Sequence, residues 1–150
     1  MTKTSQETDA YGMTKMIADA PSEQRHTLLT ERLKMIASQP EEQRVQSIKG
    51  ILLGLSKLDS KRRTTFLGSL AEVLSERPQE ERQAIILGRV RAGSLLSKED
   101  DNSIYEGMVE AVIDWPEDRR QKILGGIENA HEKLNLTKPD FQSMVKKVKG

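Results

Sequence analysis

One register dominates this chain. Arginines stand at Arg25, Arg44, Arg63, Arg82 and Arg120, all on a 19-residue spacing. Prolines keep the same step at Pro21, Pro40, Pro78 and Pro116. The two proline slots left over hold Asp59 and Ser97, both good helix-capping types. A unit of 19 residues accommodates one helix of about 13–16 residues and a short turn. Proline at a helix start presets φ without sacrificing a hydrogen bond. Acids follow it at Glu41, Glu42, Glu80, Glu81, Glu117 and Asp118, where they complement the helix dipole. Apolar residues then recur at helical spacing, as in Leu29, Leu33, Ile36 and in Ile48, Ile51, Leu52, Leu55.

Other matches favour a period of 38, two helices per unit, over residues 21–58, 59–96 and 97–134. Glycine recurs at Gly50, Gly88 and Gly126, and leucine at Leu58, Leu96 and Leu134. Thr27, Thr65 and Ser103 correspond in the first helices. Paired helices at such a period indicate an α-solenoid. We therefore expect an all-α, right-handed solenoid-like stack of three antiparallel helix pairs, with short terminal helices. Helices are predicted near 22–38, 41–57, 60–76, 79–96, 98–114 and 117–134. Residues 1–8 are expected to be a disordered tail, and 9–150 a single helical-repeat domain ending in an amphipathic helix over 139–149. The Pro-x-acid-x-Arg openings are similar to those of helical repeats in bacterial magnesium-transporter cytosolic domains. That likeness spans five residues per unit, with a different period, and implies a helical repeat alone.

Composition narrows the function classes. There is no cysteine, which removes disulfides, thiolate zinc sites and a cysteine nucleophile. The 24 basic and 23 acidic side chains leave a net charge of +1, unlike the basic excess of a dedicated nucleic-acid binder. The polar start, Met1 to Ala10, lacks the apolar stretch of a secretory signal. No apolar run reaches membrane-spanning length. A cytoplasmic protein is expected. With five aromatics in 150 residues, the core must be built from Leu, Ile, Val, Met and Ala.

No catalytic grouping, cofactor motif or metal-ligand spacing is visible. His26 and His131 lie far apart and without a ligand-spaced neighbour, so surface or cap positions are expected for both. Glu99-Asp100-Asp101-Asn102 lacks the glycine of a calcium loop; Ser97 and Asp100 instead have capping-box-like spacing. Trp115 is expected to plug the corner before Pro116. The helix-interior glycines are expected to admit a close neighbouring helix, in compensation for about 0.8–1 kcal/mol each.

The functional expectation is a non-catalytic protein-interaction or scaffold module. Arg44, Arg82 and Arg120, which open the second helices, are its candidate partner-binding residues. Their structural alternative is salt bridging within the chain. A second possibility is binding of nucleic acid or an anionic surface through the arginine column and the basic C-terminal tail. Phe141, Met144, Lys146 and Lys147 would supply a weak peripheral membrane contact.

Overall fold

The structure, a computed structural model, describes residues 11–150 in full and only the backbone of 2–10. The disordered tail expected over residues 1–8 lies outside the fully described residues. The fold is all-α: α1 (Thr2–Asp19), α2 (Ser22–Ser38), α3 (Glu41–Lys57), α4 (Ser60–Glu76), α5 (Gln79–Gly93), α6 (Lys98–Val112), α7 (Glu117–Lys133) and α8 (Phe141–Lys149). Starts and ends of α2, α3, α4 and α7 follow the sequence reading closely; α5 and α6 stop three and two residues early, α8 starts two residues late, and α1, expected to be short, is as long as the repeat helices.

The prolines act one step before the position expected of them. Pro21, Pro40, Pro78 and Pro116 are N-cap residues, with φ between −53° and −58° and ψ between 146° and 153°. Their carbonyls accept the first intrahelical bonds, from Arg25, Arg44, Arg82 and Arg120 at 2.8–2.9 Å. In the two slots without proline, side chains cap instead. Asp59 accepts from the Arg62 N–H, and Ser97 from the Asp100 N–H. The residue before each of the first linkers is also extended: Gln39, Leu58 and Arg77 all have φ near −77° and ψ near 152°. Proline enforces this on its predecessor in two of the three cases.

Two extended residues turn the chain sharply but leave little room for consecutive helices to lie alongside each other. The most extensive interfaces therefore join next-but-one helices, α1–α3–α5–α7 in one layer and α2–α4–α6–α8 in the other. The layers meet through α1–α4, α2–α5, α3–α6 and α4–α7. The stack expected from the sequence is present, held along its layers more than within its consecutive pairs. Its core is aliphatic and lies between the layers. Leu29, Ile36, Leu55, Phe66, Ala71, Ile104, Val109 and Ile123 are at most 1% exposed.

Candidate functional site

The arginine column is the first arrangement to place. Each arginine is the fourth residue of its helix, and side chains there tilt toward the helix N-terminus. The guanidinium thus reaches back to the end of the preceding helix. Arg44 donates to the carbonyls of Ile36, Ala37 and Gln39. Arg63 donates to Leu55, Ser56 and Leu58 at 3.0, 3.4 and 2.8 Å. Arg25 donates to Ala18 and Ala20, Arg82 to Arg77, and Arg120 to Ile113 and Trp115. Each cation answers the negative, carbonyl-rich end of the helix before it. This explains why an arginine is tolerated so near its own helix start.

The slot lacking arginine is Asp101. There the end of α5 is closed by its own backbone, with the N–H groups of Ser94, Leu95 and Leu96 bonding to Val90, Ala92 and Gly93. That tighter ending accounts for the early stop of α5. Asp101 in turn receives Arg89 from α5, Nη1 to Oδ1 at 2.7 Å. The α7 end differs again. Asn135, at φ 55°, stands in the left-handed region, with Leu136 N–H bonded to the His131 carbonyl in a Schellman closure.

Three glycines seat side chains from the neighbouring helix of the same layer. A Cβ on Gly88 would stand 2.7 Å from Ile48 Cδ1 and 3.6 Å from the Arg44 stem. On Gly107 it would meet Leu67 Cδ1 at 2.8 Å and the Arg63 stem; on Gly126, Ile86 Cδ1 at 2.9 Å. Ser69 holds the corresponding place opposite Arg25, whose Nε bonds to its Oγ at 2.7 Å. The seat thus recurs every 19 residues, in both layers, where the glycines alone suggested 38. Two expectations need correction. The neighbours are side-chain methyls and stems, not close backbones, and among the described residues nothing lies within 4 Å of the missing Cβ of Gly50.

A buried polar group lies where α5, α6, α7 and α8 meet. The Arg89 guanidinium sits 4.0 Å above the centre of the Tyr105 ring. Tyr105 also packs edge-on to Phe141 and tilted to His131. Contrary to the surface or cap position expected, His131 is buried, and its Nδ1 lies 2.8 Å from the Ile127 carbonyl. Arg89 Nη2 and Tyr105 Oη are buried without a hydrogen-bond partner among the described residues, and both side chains border a narrow apolar cavity of about 60 Å³ between the layers. Burial pushes the Tyr105 phenol up to about 12; Arg89 opposes the shift and Asp101 adds to it. A phenol so hard to ionise is a poor base or nucleophile.

The outer surface offers a different feature. An open furrow of about 900 Å³ runs between α5 and α7, over Gln83, Leu87, Lys122, Gly125, Gly126 and Asn129. Of the three arginines expected to bind a partner, Arg82 borders this furrow, while Arg44 and Arg120 do not. The C-terminal stripe turns inward: Phe141 is buried, and Met144, Val145 and Val148 pack against the core. Lys146 and Lys147 remain exposed, with Lys147 bonded to Glu106 at 3.2 Å. Trp115 packs against the core at its corner as expected, under the Arg119 guanidinium. Among the described residues no helix is long and apolar enough to cross a membrane.

Folding also makes a grouping that sequence spacing concealed. His26 of α2 lies beside Glu76 of α4, Nε2 to Oε1 at 2.8 Å, although 50 residues separate them. Glu72, one turn before Glu76, completes the set. No protein-family model matches the chain, and neither a curated protein nor a solved structure matches it.

Proposed function

We propose that the protein is a non-catalytic interaction or scaffold module of helical-repeat type, working in the cytoplasm, whose partner is another protein. The observation that carries this reading is the α5–α7 furrow. It is open, and charged and polar side chains such as Glu80, Gln83, Gln121 and Lys122 line it together with Ala84, Ile86, Leu87 and Ala130. Such a surface suits a peptide segment or a helix better than a small substrate, which needs enclosure and convergent polar groups. Arg82 would contribute a charge-assisted contact at one edge. The alternative, binding of nucleic acid or an anionic surface, has less support. The column's guanidinium groups point at carbonyls of their own chain, and the α8 stripe is packed inward.

A capture experiment from source cells, read by mass spectrometry, tests the proposal. Gln83→Glu combined with Lys122→Glu alters two exposed furrow residues without touching the helix-end arginines. The expected result is one protein retained by the wild type and lost by the variant, with equal thermal stability of the two. Retention of the same partner by both would move the site off the furrow. Turnover of a substrate by the purified chain would overturn the non-catalytic reading.

A further inference from the structure

We propose that His26, Glu72 and Glu76 form a surface site for a divalent transition-metal ion of the zinc class, tying α2 to α4. One ligand atom from each residue lies within 4.8 Å of the other two. Glu72 and Glu76 are separated by four residues on α4, so helical geometry places them on one face, one above the other. His26 comes from the neighbouring helix of the same layer, across one of its main interfaces. The three donors therefore converge from two helices rather than from one local loop.

The donor chemistry selects the ion. Imidazole nitrogen with two carboxylate oxygens suits zinc and its neighbours, whereas calcium and magnesium prefer oxygen alone. Bonds of about 2.0–2.2 Å in a tetrahedral site place ligand atoms about 3.3–3.6 Å apart. His26 Nε2 and Glu76 Oε1 are already closer than that, at 2.8 Å, and an ion between them replaces their direct bond. The side chains of His26 and Glu76 are 39% and 49% exposed, so both can reorient without disturbing the core. Three protein ligands leave a fourth position for water, or for a donor from a binding partner. The site lies on α2 and α4, away from the α5–α7 furrow, and stands or falls independently of the partner proposed there.

The test uses the full chain, stripped with a chelator and free of any histidine tag. Zinc chloride is titrated by calorimetry near neutral pH. One ion per chain is expected, with affinity reduced at least about tenfold in His26→Ala and in Glu72→Gln and unchanged in Glu132→Gln. Zinc should also raise the melting temperature of the wild type but of neither ligand variant, since only the folded chain assembles the set. Failure of the folded wild type to bind zinc at millimolar concentration overturns the proposal. So does wild-type affinity in His26→Ala. Should that variant fold poorly, Glu72→Gln, altered at an exposed carboxylate, decides the matter alone.

Discussion

Replacing Tyr105 by phenylalanine should stabilise this protein and remove a specific alkaline weakness. The hydroxyl is buried and unpartnered, on a residue 2% exposed. A buried polar group without a hydrogen bond costs about 1–3 kcal/mol, so its removal should add about 1 kcal/mol at neutral pH. The ring stays, and with it the stacking on Arg89 and Phe141. The pH arm follows from burial, which raises the phenol from 10.0 to about 12. A folded-state value above the unfolded one leaves stability intact below pH 10 and erodes it as pH rises toward 12. Across that window the loss is roughly 3 kcal/mol. Urea unfolding followed by far-UV circular dichroism, at neutral pH and in steps above pH 9, measures both arms. All other ionisable groups are common to the two proteins, so the difference between them isolates Tyr105. Destabilisation of Tyr105→Phe by 1 kcal/mol or more (about the worth of one satisfied hydrogen bond) would refute the reasoning, as would an equal alkaline loss in both proteins.

Four further perturbations test the packing and capping scheme. Gly50→Ala should stabilise by roughly 0.5–1 kcal/mol, because no described residue lies within 4 Å of the Cβ that this helix-interior glycine would gain; Gly88→Leu should destabilise by roughly 1–3 kcal/mol through collision with Ile48 and Arg44; thermal or urea melts read both. Replacing Arg44, Arg82 and Arg120 together with alanine should lower the melting temperature, since each caps a helix end; wild-type stability with lost partner binding would instead make them a recognition row. Asp59 is held below the ordinary carboxylate range by its bonds to Arg62, so its capping contribution is present above pH 3.8 and is lost as pH falls through its lower folded-state value; Asp59→Asn should flatten that acid limb in melts taken from pH 5 downward.

Much of the fold was legible because its signals are local. Proline or a capping aspartate or serine announces the starts of α2 to α7, joined in all of these but α4 by an acidic first turn. The capping of Asp100 by Ser97 was readable for the same reason. The arginine register was equally visible, but its target was not: the carbonyls it meets belong to the preceding helix, and only the sharp linker brings them within reach. Glycine was harder still. Gly50 and Gly88 look equivalent in sequence, yet only Gly88 has an Ile48 and an Arg44 to seat. His131 was misplaced because its burial comes from packing against Tyr105 of α6, a tertiary contact that spacing along the chain does not show. The His26–Glu76 contact spans 50 residues, and no spacing rule within one helix could reveal it.

The alternation of layers gives the chain a parity. Inserting or deleting one 19-residue helix would exchange the layers of every later helix, yet the arginine and its seat recur at that same step in both layers and would meet again. Growth or shortening of such a stack should therefore be tolerated in whole helices and penalised wherever the 19-residue step is broken, a discrete grammar of length imposed by two-residue hinges.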